Sequence, residues 1–164
     1  MIKSIRTQAA FSLVEVVLAI GIAAFCLLAV IGMLPIAVKS QQASVQQTAA
    51  NSITSGIIAD LRAAFRKPGN NSSSQFGIEL KKLPPGQAAK YTPPALYFSL
   101  DGTQQNGAGG AVFLATITYY STTAVSSATS TFANITVSWP ATQTDLTKAA
   151  GYTETVAAID RTIP

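Results

Sequence analysis

The sequence predicts an α+β protein: a long N-terminal helix, membrane-spanning at first and amphipathic after, packed on a three- to four-stranded antiparallel sheet. Three observations predict it. Val16–Val38 is a run of 23 residues without a charge, and a helix of that length covers a hydrocarbon core roughly 30 Å thick. Beyond it, Val45, Ala49, Ile53, Ile57, Leu61 and Phe65 recur every four residues, with Ile58 widening the stripe. That is the period of a helix burying one face. Downstream, 111–122 and 132–139 alternate apolar and polar residues, the period of half-buried strands.

The elements follow in chain order. Residues 1–10 read as a leader, 11–38 as the membrane half of the helix and 39–67 as its amphipathic half. Unbroken, 11–67 would reach roughly 85 Å at 1.5 Å per residue. Gly32 and Pro35 predict a kink or local melting near the outer end of the apolar run, because proline lacks the N–H that the helix needs. Arg66 and Lys67 suit the last turn, and Pro68-Gly69 stops it. Residues 68–94 read as a long irregular connection, polar at 70–74 and broken by Pro84-Pro85-Gly86 and Pro93-Pro94. The head, 95–164, opens with a short apolar strand at 95–100 and a glycine-rich turn at 102–110. In the strand that follows, Phe113, Ala115, Ile117 and Tyr119 alternate against Leu114, Thr116, Thr118 and Tyr120. In the next, Ile135, Val137 and Trp139 share a face, and Pro140 ends it. Residues 152–159 fit an edge strand, and 155–159 equally fit a helical turn.

Glu15 stands out chemically. It sits five residues into the apolar stretch that begins at Phe11, and a carboxylate there costs several kcal/mol unless a partner neutralises it. Upstream, 1–10 is short and polar, carries Lys3 and Arg6, and ends in Ala9-Ala10, as targeting segments do. A cut between Ala10 and Phe11 would create an amine four residues from Glu15. The amine of one subunit could then pair with Glu15 of another, relieving both buried charges.

Small residue, Phe, a few apolar residues and then Glu, followed by an apolar helix, resembles the type IV pilins and pseudopilins. The resemblance covers Ala10–Glu15 and the run to Val38. The stretch from Phe11 to Phe25, with Gly32-Met33-Leu34-Pro35, is most similar to the verrucomicrobial Verru_Chthon cassette protein B group. The family has Gly before its cut, where this chain has Ala10. The resemblance implies a pilin-like fold, cleavage by a prepilin peptidase between Ala10 and Phe11, and N-methylation of Phe11. It implies that Glu15 docks the subunit into a filament and that a break at Gly32 and Pro35 lets subunits pack. Its partners would be the peptidase, other pilins or pseudopilins, an inner-membrane assembly platform and the lipid bilayer, in a homo- or hetero-oligomeric filament. The chain would cross the inner membrane once, with its head in the periplasm, before entering a periplasmic or cell-surface filament.

Composition agrees with a membrane-anchored, exported protein of 164 residues, of which 11% are charged. Losing Lys3 and Arg6 lowers the formal charge from +4 to +2, so net charge argues little for nucleic acid. Both lie on the side that the positive-inside rule keeps cytoplasmic. The chain has no histidine, which removes Ser-His-Asp and Cys-His catalysis and the common zinc sites. Cys26 is the sole cysteine and reads as a small apolar helix residue. Asp101, Gly102 and Asn106 offer one carboxylate, too few for calcium. Lys81, Lys82 and Lys90 beside Tyr91 are a basic, aromatic set of the kind that binds single-stranded DNA, although most such sets are solvated loops. The expectation is no enzyme, no cofactor and no metal. The alternative is a single-span surface binding module, for adhesion or DNA uptake, not built into a filament.

Overall fold

The computed structural model describes residues 12–67, 69, 71–81, 83, 88–121 and 130–160. The leader, the expected cut site at Ala10 and Phe11, and the Ser/Thr-rich link at 122–129 lie outside the described residues. Helix α1 spans Leu13–Phe65. Ser12 precedes it, its carbonyl accepting from the N–H groups of Glu15 at 3.0 Å and Val16 at 3.2 Å. The chain divides into two compact units, one ending at Ala43 and the other beginning at Ser44.

In the first unit every described residue is exposed. Apolar side chains occupy all sides of the helix, so no face is reserved for a core. Leu, Ala and Met favour the helix intrinsically, while the β-branched Val and Ile are tolerated. By length and composition this helix can cross a membrane. Gly32 and Pro35, where a kink or local melting was expected, both lie inside α1. Proline still has no N–H, so the carbonyl four residues before it, on Ile31, loses its intrahelical partner.

The second unit is an α+β head. Six strands among the described residues form one antiparallel sheet: β1 (Ala89–Tyr91), β2 (Leu96–Phe98), β3 (Gln104–Gln105), β4 (Phe113–Ser121), β5 (Ser130–Trp139) and β6 (Gly151–Asp160). The order is β3-β2-β4-β5-β6, and β1 pairs with β4 in line with β2. The count exceeds the three or four expected. β1 and β3 are three and two residues long, too short for periodicity to register, and they lie where only a connection and a turn were expected. β6 resolves the strand-or-helix alternative at 152–159: ten consecutive residues pair with β5. A single 3₁₀ turn, Leu146–Lys148, joins β5 to β6.

The core lies between the second half of α1 and one face of the sheet. The helix contributes Ala50, Ile53, Ile57, Leu61, Ala64 and Phe65; the strands contribute Phe98, Phe113, Ala115, Ile117, Tyr119, Ile135, Val137 and Trp139. The expected stripe therefore holds from Ile53 to Phe65. Val45, its first member, is 48% exposed, and Ala49 is only partly buried. Within the connection at 68–94, the described residues 71–81 are more ordered than their composition suggests. Ser72 bridges Glu79, Gly77 turns the chain at φ 64°, and Ile78 is buried. Strand β6 touches the core closely at Gly151, where an added Cβ would lie 2.3 Å from the Trp139 ring.

Ile57→Ala is expected to cost about 2–5 kcal/mol in denaturant unfolding, since it empties a site with no exposed surface. Val45→Ala is expected to change stability by no more than about 0.5 kcal/mol. Equal losses at the two positions would contradict a core that begins after Ala49.

Candidate functional site

Glu15 lies in the first turn of α1, where the unpaired N–H groups give the helix end a partial positive charge that favours a carboxylate. Its flanks are Val16, Ala19 and Ile20, which line a shallow, almost wholly apolar depression with it. A second groove runs along Leu13, Val17, Gly21 and Phe25. Both are open surfaces of a single helix, not enclosed cavities. Among the described residues Glu15 has no salt bridge: the single pair is Lys148–Asp145 at 3.7 Å, on the surface of the head. The helix thus presents one acid near the head of a wholly apolar, uncovered rod. Such a surface can insert in lipid or pack against like helices, and its acid calls for a cationic partner.

Of the sequence-predicted residues, Glu15, Gly32 and Pro35 share α1, Glu15 several turns before the other two, which lie within one turn of each other, while Ala10 and Phe11 lie outside the described residues. Cys26 is exposed on the same helix. Among the described residues no three His, Cys, Asp or Glu side chains gather as a metal site. Asp101 is occupied by its own loop: the Ser99 hydroxyl and the Thr103 N–H, at 3.0 Å, both donate to its carboxylate. These donors, the Ser99 hydroxyl first, hold the Asp101 carboxyl below the usual carboxylate range. The lysine and tyrosine set divides between the two faces of the sheet. Lys81 stands over Tyr91 at 5.0 Å and Lys90 over Tyr120 at 5.8 Å. Register sets Tyr91 opposite buried Tyr119, and Lys90 opposite Tyr120 on the other face. Successive strand residues point to opposite sides, so Lys90 and Tyr91 do not form one stacking platform.

Sequence reasoning missed two polar anchors in the head. Asp60 is 6% exposed on the buried stripe of α1. Its two oxygens accept from the N–H groups of Gln75 at 3.1 Å and Phe76 at 3.0 Å. This folds residues 71–81 against the helix and seats Phe76 edge-on to Phe98, at 5.4 Å. The signal was an acid three residues after Ile57, on the face meant for the core. Tyr119 is the second anchor. Its ring meets Phe65 edge-on at 6.1 Å, and its hydroxyl donates to the Glu79 carbonyl at 3.1 Å. Burial, with the nearby Tyr91 and Glu79, drives the Tyr119 phenol well above its ordinary value.

Comparison with protein-family models, curated proteins and solved structures gives no match to this chain.

Because the folded state holds the Tyr119 proton more tightly than the unfolded chain, its contribution to stability is complete below the unfolded phenol value near 10.0 and falls as pH rises beyond it. Tyr119→Phe is expected to cost about 0.5–1.5 kcal/mol at pH 7 and to flatten the alkaline limb of a stability–pH curve. An unchanged limb would mean that another group governs alkaline unfolding.

Proposed function

We propose that this chain is a structural subunit of a type IV pilus-like or type II secretion-like filament, a minor pilin or pseudopilin. Prepilin peptidase would process it, and its N-terminal helix would assemble it. The observation that carries the reading is Glu15: one acid in the first turn of α1, whose stretch from Val16 to Val38 has no other charge and is exposed throughout. A charged side chain at the centre of a membrane helix costs about 2.5–3.5 kcal/mol on insertion scales. That cost disappears if each Glu15 meets the freed amine of Phe11 on a neighbour.

The pairing has a consequence for assembly. Each subunit then offers one acid and one amine, and where the two engage different neighbours the contact is head-to-tail. Head-to-tail contacts whose rotation does not close give open helical filaments. The same apolar surface that anchors the subunit in the inner membrane becomes the filament core, packed helix against helix. The head, joined beyond Ser44, would face the periplasm or the cell exterior. The unpaired Ile31 carbonyl opposite Pro35 suits this reading, because a weakened turn can open when helices pack tightly.

Two measurements test it. Intact mass and N-terminal sequencing of membrane-extracted protein from its native host are expected to give a methylated Phe11 start. A Met1 start would favour a plain single-span surface module, and a start beyond Val38 a secreted domain. Separately, Glu15→Ala is expected to leave membrane insertion intact while abolishing recovery in sheared filament fractions. Normal incorporation of that variant would sink the proposed pairing.

A further inference from the structure

Strand β6 is the longest exposed edge of the head. Among the described residues its one strand partner is β5, and their ten consecutive pairs contain no bulge. Gly151–Asp160 also contains no proline and no lysine, two of the devices that blunt a sheet edge. On the core-facing side Gly151, Thr153 and Thr155 are only half-buried, which leaves this half of the strand open. On the opposite face Phe132, Tyr152 and Val156 are 41%, 52% and 64% exposed. These apolar side chains reach the edge interspersed with the polar Asn134, Thr136 and Glu154.

The polar groups beside it specify the complement. Asn134 donates through Nδ2 to the Glu154 carboxylate. The Glu154 carboxylate is exposed and keeps acceptor capacity for a second, cationic donor. The edge strand itself supplies no positive charge. We propose that the free edge of β6 takes an extended segment of another protein as an added strand, with a Lys or Arg of that segment beside Glu154 and Asn134, and its apolar side chains continuing the Phe132–Val156 surface. Main-chain hydrogen bonds give affinity in such additions, and alternate side chains give selectivity. A copy of the same head fits less well, because two β6 strands paired edge to edge bring no cation to Glu154, and the opposite edge offers only the short β1 and β3. The inference concerns the head alone and does not rest on filament assembly.

The test uses the full-length chain in detergent micelles and two probe peptides. One alternates threonine and valine around a central lysine, and the other carries glutamate in its place. Amide hydrogen exchange across β6 is expected to slow with the lysine peptide. That peptide should bind about fivefold more tightly than the glutamate one, the scale of one favourable against one unfavourable cross-strand charge. Glu154→Lys, a change at an exposed side chain that leaves the core alone, is expected to invert the preference. Protection by neither peptide, or a preference that Glu154→Lys leaves unchanged, would overturn the proposal. So would β6 amides already protected in a complex of twice the protein mass, since the occupant would then be a second copy.

Discussion

The head depends on one packing event, the seating of the Ile53–Phe65 stripe of α1 across the inner face of the sheet. Ile57 and Leu61 lose all solvent exposure there, as do Phe98, Phe113, Ile117, Tyr119, Ile135 and Val137 opposite them. Each large apolar side chain so buried contributes about 1.5–3 kcal/mol. Neither partner has another way to hide its apolar side, because the helix has one stripe and the sheet a single layer. The remaining elements of the head are arranged around that contact.

Polar groups then fasten the parts that apolar packing alone would leave loose. Asp60 turns a position on the helix stripe into a double acceptor for backbone N–H groups of a connection without helix or strand of its own. Tyr119 extends from the same core to the Glu79 carbonyl, fixing the far end of that connection. A buried acceptor or hydroxyl is tolerable only when paired, so both residues trade a desolvation cost for a defined loop path. Polar groups near the free edge of β6 are treated differently. On β5, the neighbour of that edge strand, Asn134 Oδ1 and Thr131 Oγ1 have no hydrogen-bond partner among the described residues.

The first unit obeys another solvent rule. Its apolar residues surround the helix with no stripe, and none of those described is buried. A helix of that kind finds its low-energy surroundings outside its own chain, in lipid or among other helices. A single acid there is tolerable when a counter-charge comes from elsewhere. Glu15 and the uncovered helix are therefore parts of one constraint, as are the missing N–H of Pro35 and the carbonyl that it frees.

Much was legible without coordinates because it rests on periodicity and composition. The apolar run, the stripe from Ile53 to Phe65, and the alternation on β4 and β5 each announce which face must be buried. The anomalous Glu15 is visible for the same reason, as a violation of the surrounding pattern. What escaped depends on residues far apart in sequence. β1 and β3 are too short to carry a period and exist because β4 and β2 offer them unpaired edges. The order at 71–81 comes from Asp60, fifteen residues before Gln75. The identity of 152–159 as strand followed from pairing with β5, since either local pattern was available to it. The sequence by itself determined the α+β class and the two kinds of helix, because solvent sorting acts on every residue locally. The tertiary structure decided the strand count, the loop path and the open edge, because backbone pairing is settled only by which neighbour has hydrogen-bonding groups left to satisfy.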